Sequence, residues 1–414
     1  MRQSADDGGG GGRSRRQVLR RTGGLLAAGT AAASAGCTNL LPPASRAIRY
    51  GDVDLPGRGD ATPGYRRWFP AEAELPPLDA ADEDDPYGNW TYATPGDLGA
   101  AQLGRPFDIG RNVAQASMDY VGYPLASYDR LVSVGALGSV AEASVDRATV
   151  ERTLADTNYG RADDYREFDV YDRTDVDRLL AVSTDAVVHT AGETRRAKAR
   201  ALVDAEAGRV DRRHEVDASF AAYTERVGAP PTVLSAFGIV SGDLASAVWF
   251  TFDESSAYFV YDHAFADGET PSRAEVKRQI SGITRGDRAS RVDVTVDDPF
   301  VRVALQLDES AYMDGDDGDD YRSLPFVTWG VDQGSDTITV SHDAGEPVSV
   351  DRAEFRPTEA LRNPPASGST LEPGDELAFA TGDLAADDIE FTYSQDEHSR
   401  SLLFSYEPAN DSDT

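Results

Sequence analysis

Residues 291–307, RVDVTVDDPFVRVALQL, constrain the fold more than any other stretch of this chain. In RVDVTV and FVRVALQL apolar and polar residues alternate strictly, so that Val292, Val294 and Val296 share one side of the first run. Val301, Val303, Leu305 and Leu307 share one side of the second. A period of two is that of a strand, whose side chains point alternately to opposite faces, and it does not collect on one stripe of a helix. Such strands need a partner layer for their apolar face, and helices must come from elsewhere in the sequence to supply it.

Those helices are legible. LASAVWFTF and SAYFVYDHAF are two further strands, and SRAEVKRQI after them opens on a capping box from Ser272 to Glu275. Val276, Ile280 and Ile283 then fall on one helical face. The upstream region repeats the order. YDRLVSVGAL (128–137) is strand-like, and DRATVERTLADTNYG (146–160) carries Val150 and Leu154 at i,i+4 before a glycine stop. EFDVYD alternates, and RLLAVSTDAVVHTA predicts a hairpin turning at Thr184 and Asp185. ETRRAKARALVDAEAG (193–208) predicts a surface helix ended by Gly208, with a second helix over 216–227 before GAPPT. Strand, helix, strand, strand thus occurs twice, which predicts antiparallel sheets covered on one face by helices. From Tyr321 onward the runs TITVSH, VSVDRAEFR, DELAFA, DIEFTYS and SRSLLFSYE alternate at sandwich spacing. The expected class is α+β: a duplicated antiparallel sheet-plus-helix domain followed by a small all-β sandwich.

Charge decides which partners this fold can have. Asp and Glu number 72 against 40 Lys and Arg in 414 residues, a formal charge of −32, and Lys198 and Lys277 are the two lysines. The excess is spread along the chain, as in DAADEDDP (79–86) and MDGDDGDDY (313–321), so it is no local tail. Such a surface repels phosphate backbones and anionic headgroups, which argues against nucleic acid as a partner. At about 1 M salt the Debye length is about 3 Å, and the self-repulsion of the fold is screened. Pervasive acid with almost no lysine resembles the proteins of extremely halophilic archaea.

The first forty residues differ from the rest. SRRQVLR (14–20) resembles the twin-arginine export signal S-R-R-x-F-L-K, with Arg15 and Arg16 as the pair, Val18 in the phenylalanine place and Arg20 in the lysine place. GGLLAAGTAAASAG follows, too short and too mild for a membrane-spanning helix. SAGCTN then resembles a lipobox: Ala35, Gly36 and Cys37 fit, and Ser34 stands where leucine is commonest. Cys37 is the one cysteine of the chain, so no disulfide braces the fold. The two resemblances imply export, cleavage before Cys37 and a lipid on Cys37. Cleavage would remove six arginines and two aspartates and leave the mature chain more acidic still.

The expected organisation is a signal with lipobox over 1–37, a Pro/Gly/acid-rich spacer over 38–98, the α+β domain over 99–320, the sandwich over 321–408 and a tail over 409–414. Inside the spacer, YRRWF (65–69) is set to dock its aromatics onto the next domain or to touch the membrane surface. The α+β region resembles uncharacterised secreted haloarchaeal proteins. ITVSHDAGEPVSV (338–350), LEPGDEL (371–377) and SRSLLFSYEP resemble the globular C-terminal domain of archaeal type IV pilins. The long apolar N-terminal helix that builds a pilin filament has no counterpart in this sequence.

The motifs of common chemistries do not assemble. RHEVDAS (213–219) begins like H-E-x-x-H, but Ala218 takes the second histidine place, so two imidazoles cannot meet one metal. His214 is then a surface-helix histidine, and His189, His263, His342 and His398 are scattered. There is no G-x-S-x-G and no phosphate loop, and Ser241 in GIVSGDL is a turn residue. The loop Asp314 to Asp320 has oxygen ligands without EF-hand spacing, which favours a solvated loop over a calcium site. Asn89 in NWT and Asn410 in NDS are N-glycosylation acceptors. No catalytic residue, metal ligand or cofactor is assigned. The expected function is that of a cell-surface, lipid-anchored, non-enzymatic binding or structural envelope component, held to the membrane through Cys37, with a surface protein or glycan as partner. The rival is an extracellular hydrolase or solute-binding protein whose site lies in the α+β domain, in a deep cleft lined by carboxylates or aromatics such as Trp249.

Overall fold

The alternating runs pair with one another as their periodicity requires. The computed structural model describes residues 48–56, 63–78, 86–95, 117–229, 233–237, 244–253, 255–265, 268–280, 288–308, 322–384, 388–396 and 400–408. In its first half lie β1 (Asn89–Ala93), β2 (Arg130–Val134), β3 (Ser139–Glu142), β4 (Tyr159–Tyr165), β5 (Phe168–Arg173), β6 (Arg178–Val182) and β7 (Ala186–Ala191). The second half holds β8 (Val233–Phe237), β9 (Leu244–Phe252), β10 (Ser256–Phe265), β11 (Arg291–Asp297) and β12 (Phe300–Asp308). All twelve form one sheet in the order β11-β12-β10-β9-β8-β1-β2-β3-β7-β6-β5-β4, every pairing antiparallel. The helices are α1 (Arg147–Leu154), α2 (Arg195–Glu206), α3 (Arg213–Val216), α4 (Ala218–Val227) and α5 (Arg273–Gln279).

The duplication is visible in the pairing. In each half two consecutive strands, β2–β3 or β9–β10, lead into a helix, α1 or α5. A later strand, β7 or β12, returns to pair with the second of them. The first half adds β4 and β5 at its outer edge, and β1 and β8 join the halves.

Helices cover both faces of the sheet, a correction to the one-sided expectation. On one face Val150 and Leu154 of α1 pack with Leu131, Ala141 and Leu180, while Val276 and Ile280, on and just beyond α5, pack with Val292, Val303 and Leu305. On the other, Leu202, Val203, Phe220 and Tyr223 of α2 and α4 pack with Val132, Val140 and Trp249. Adjacent residues Leu131 and Val132 therefore enter opposite cores, as the strand period dictates.

The stretch 38–98 also differs from a spacer. It supplies β1 to the middle of the sheet, and Tyr65, Trp68, Phe69 and Trp90 are each at most 1% exposed. Tyr65–Trp90 and Phe69–Trp90 centroids lie 5.0 and 5.5 Å apart, so the aromatics of YRRWF are core residues. Each contributes about 1.5–3 kcal/mol of burial, which outweighs the surrounding Pro/Gly composition. Two smaller differences concern helices. Gly160 lies in β4, and α1 ends earlier, at Leu154. The helix expected over 216–227 is broken at Asp217, which is extended and accepts a hydrogen bond from the Phe220 N–H at 2.9 Å to cap α4.

The C-terminal strands are β13 (Val327–Gln333), β14 (Thr337–Gly345), β15 (Val348–Ser349), β16 (Ala353–Arg356), β17 (Thr370–Leu371), β18 (Glu376–Ala380), β19 (Ile389–Ser394) and β20 (Arg400–Tyr406). Sheets β13-β14-β18 and β16-β19-β20, with the pair β15-β17, enclose Trp329, Ile338, Val340, Phe379 and Phe391. This unit docks on the large sheet: Phe326 enters the core beneath α1, and Thr328 Oγ1 donates to the Tyr120 carbonyl at 2.9 Å.

Candidate functional site

An acidic chain that buries a carboxylate must bury cations or donors with it, because an unpaired charge inside the fold is prohibitively costly. Three such carboxylates anchor the large sheet. Glu142, at the end of β3, accepts from Arg67 Nη2 at 2.7 Å, Trp68 Nε1 at 2.5 Å and Arg130 Nη1 at 2.9 Å. Asp262 in β10 is 1% exposed and takes a bidentate fork from Arg302, at 2.7 and 2.8 Å, plus Trp249 Nε1 at 2.9 Å. Arg302 stands directly opposite Asp262 in the β10–β12 register, as Arg130 stands opposite Glu142 in β2–β3. Each half of the duplicated domain thus locks its second strand with a carboxylate–arginine–tryptophan cluster on the same face.

The third carboxylate, Asp119, sits where the sandwich meets the sheet. It accepts from Tyr159 Oη at 2.6 Å, from Arg173 Nη1 at 3.4 Å and from Arg178 Nη1. Burial opposes its charge, but Arg178 and Arg173 override it and hold the carboxyl down at about 2. Arg173 also donates to Asp175 and, at 2.5 Å, to the Trp329 carbonyl of the sandwich, while the Val331 N–H donates to Asp175 Oδ2 at 2.9 Å.

Beside this cluster Ser139, His189 and Asp119 come together, the residue types of a nucleophilic triad. Their geometry does not make one. His189 Nδ1 accepts the backbone N–H of Asp119 at 3.3 Å, so its proton belongs on Nε2, which is buried with no hydrogen-bond partner among the described residues. Ser139 Oγ lies 2.6 Å from Ser117 Oγ, and the Asp119 carboxylate is spent on Tyr159 and the arginines. A triad needs the serine on Nε2 and the carboxylate on Nδ1–H. Burial lowers His189 to about 4, so it is neutral at ordinary pH. Gly138, at φ +137°, seals the spot: a Cβ there would lie 2.2 Å from the His189 carbonyl oxygen.

The aromatic proposed as a cleft lining, Trp249, is 0% exposed and belongs to the core, which overturns that placement. A shallow depression with a volume of only about 10 Å³ lies between α2 and strands β4–β6. Val170, Leu179 and Val203 floor it, and Asp163, Arg196 and Arg200 stand among its lining residues. Its volume is below the roughly 300–1,000 Å³ of small-molecule pockets. Arg196 is engaged with Asp172 at 3.2 Å, and the Arg200 guanidinium stacks 5.0 Å from the Tyr165 ring.

His214 lies on α3, half-buried, with its pKa lowered by that burial, and Asp217 interrupts the helix before Ala218. Asn89 is exposed at the start of β1. Cys37, Arg15, Arg16, Asn410, Ser241, His398 and the loop Asp314 to Asp320 lie outside the described residues. Among the described residues no group of three or more His, Asp or Glu side chains is placed to hold a metal, and no helix is long and apolar enough to cross a membrane. Sequence reasoning missed Asp119, Glu142 and Asp262. The available signal was an acid on the otherwise apolar side of a strand, as in SAYFVYDHAF.

No protein-family model matches the chain, and no curated protein matches it. Among solved structures, crystal forms I and III of TP0453 align at 9% identity, covering 55% of this chain and 91% and 92% of theirs. Crystal form IV aligns at 8% identity over 53% of this chain and 89% of that one. The TM-score is 0.34 in each case, and a likeness of that size carries no argument about this chain.

Proposed function

We propose that this chain is an exported cell-surface protein, held on the outer face of the cytoplasmic membrane by a lipid on Cys37, that acts as a non-enzymatic binding or structural envelope component. The observation that carries the reading is the ordered run SRRQVLR, a mild apolar stretch and SAGC, ending on the one cysteine of the chain. Further support comes from the buried polar groups, since the carboxylates of the three clusters are spent on arginine, tryptophan and tyrosine partners and hold strands together.

The tether implied is short. Arg49 and Gly51 already hydrogen-bond to Val292 of β11, so ten residues separate Cys37 from Ile48, the first described residue. Fully extended, that span reaches about 40 Å. The start of the fold then lies close to the bilayer. The test is Cys37→Ser expressed in the native host: the variant should leave the membrane fraction for the medium or persist as uncleaved precursor. Unchanged membrane association would refute the anchor.

A further inference from the structure

Around one edge of the large sheet the described residues of 48–54 and 271–293 carry six cations against four acids, in a chain that is otherwise strongly acidic. Arg49, Arg273, Lys277, Arg278, Arg288 and Arg291 gather around α5 and the start of β11, the outer edge of the large sheet. Tertiary contacts bring them there. Tyr50 bridges to Val292 in β11 and donates from Oη to the Lys277 carbonyl at 3.2 Å, and the Lys277 ammonium lies 4.2 Å over the Tyr50 ring. Arg291 donates to the Asp52 carbonyl at 3.1 Å.

Elsewhere in the fold most arginines are bound to carboxylates. In this group Arg273 meets Asp293 at 3.4 Å and Arg278 meets Glu275 at 3.9 Å. Arg49, Lys277, Arg288 and Arg291 form no ion pair among the described residues, and the other acids in these stretches of the sequence are Asp52, Asp54 and Asp287. Tyr50, 41% exposed, is one of two large hydrophobic side chains exposed among the described residues. A cationic face with an amphipathic aromatic at its centre is the composition that suits a headgroup layer.

Position supplies the second argument. This face is where the described fold begins, at most eleven residues from Cys37. Even fully extended, a segment of that length spans about 40 Å. The rest of the acidic surface is repelled by anionic lipid, so a tether at this edge would turn the cations toward the bilayer and the acids away.

We propose that this edge of the sheet, centred on Lys277, Arg288, Arg291, Arg49 and Tyr50, is a docking surface for anionic lipid headgroups. The orientation rests on the anchor reading, but the surface itself does not. Docking sets the C-terminal sandwich, which packs on the sheet through Arg173 and Thr328, away from that edge and available to a partner.

The test separates the two claims. The full chain is made with Cys37→Ser and with its six leader arginines changed to glutamine, so that neither an acyl chain nor the leader can bind. It is then mixed with vesicles of phosphatidylglycerol and phosphatidylcholine, or of phosphatidylcholine alone, at about 0.1 M salt, where the Debye length is about 10 Å. Each cation near an anionic surface is worth about a fivefold gain in binding. Cosedimentation with the anionic vesicles is expected. It should weaken at least tenfold in the quadruple variant Arg49→Gln, Lys277→Gln, Arg288→Gln, Arg291→Gln, and it should persist when Arg152, Arg200, Arg209 and Arg356 are changed instead. The pair Lys277→Gln with Arg288→Gln, which leaves the contacts of Arg49 and Arg291 intact, should weaken binding severalfold if the quadruple variant does not fold. Absence of binding to anionic vesicles, equal binding to both vesicle types, or equal loss in the two sets of variants would overturn the proposal. A lipid-free Cys37 would overturn the anchor while leaving this result standing.

Discussion

Replacing His189 by glutamine should flatten the acid side of the stability profile. The imidazole is 3% exposed, Nε2 finds no partner among the described residues, and burial lowers its pKa to about 4 even though Asp119 lies close and favours the charge. In the unfolded chain a histidine titrates near 6.5, so between these values the unfolded state binds a proton that the folded state refuses. Stability from this group is therefore complete above about 6.5 and falls as pH drops toward the folded value. Each pH step of one across that window costs about 1.4 kcal/mol, so the loss from about pH 7.5 to about pH 4.5 integrates to about 2.5 kcal/mol. Burial also lowers His263 and His342, and they act in the same direction, so only the difference between wild type and variant isolates His189. Urea unfolding followed by tryptophan fluorescence, at constant molar salt, supplies the two free energies at each pH. His189→Gln should cost some stability at the higher pH, through the lost Asp119 contact, and lose about 2.5 kcal/mol less than wild type on acidification. Parallel pH profiles would refute the reasoning.

Three further outcomes follow from the same physics. Asp262→Ala strands the buried Arg302 guanidinium and should cost about 3–5 kcal/mol by urea unfolding, and a loss under about 1 kcal/mol would show that the cluster does not lock β10 to β12. The melting temperature should rise from about 0.1 M to about 2 M NaCl as repulsion within the acidic surface is screened, and a flat or falling curve would contradict the salt-adapted reading. Arg15→Lys with Arg16→Lys should retain the precursor inside the cell, and normal surface delivery of that double variant would remove the export argument.

Local patterns made much of this fold legible. The capping box Ser272–Glu275 forms as written, the hairpin turns at 183–185, and the alternating runs expected after Tyr321 form strands, except that VSVDRAEFR is split into β15 and β16 by a 3-10 turn at Val350–Arg352. What stayed hidden depends on contacts between segments. The alternation in FVRVALQL marks Val301, Val303, Leu305 and Leu307 as inward and so implies that Phe300, Arg302, Ala304 and Gln306 face water. Arg302 and Ala304 are in fact buried, because α4 and the 64–68 turn cover that face and Asp262 neutralises the guanidinium. One strand cannot announce the charge that its neighbour will satisfy. β4, YGRADDY, was missed for the opposite reason. Arg161, Asp163 and Asp164 are exposed on an edge strand, where charge discourages further pairing and no apolar period is required. The proline- and acid-rich region before residue 99 concealed β1 and the buried aromatics, since average composition says nothing about where six large rings converge. The cationic run from Arg273 to Arg291 stands out in so acidic a sequence, but its meeting with Arg49 and Tyr50 required the parallel bridge to Val292.

The anchor is tested most directly at the atom on which it depends. Mature protein isolated from the membrane fraction of its native host, digested and weighed by mass spectrometry, should yield an N-terminal peptide that begins at Cys37 and carries the added mass of a lipid. An N-terminal peptide that begins elsewhere, or one that begins at Cys37 with no added mass, would contradict the account.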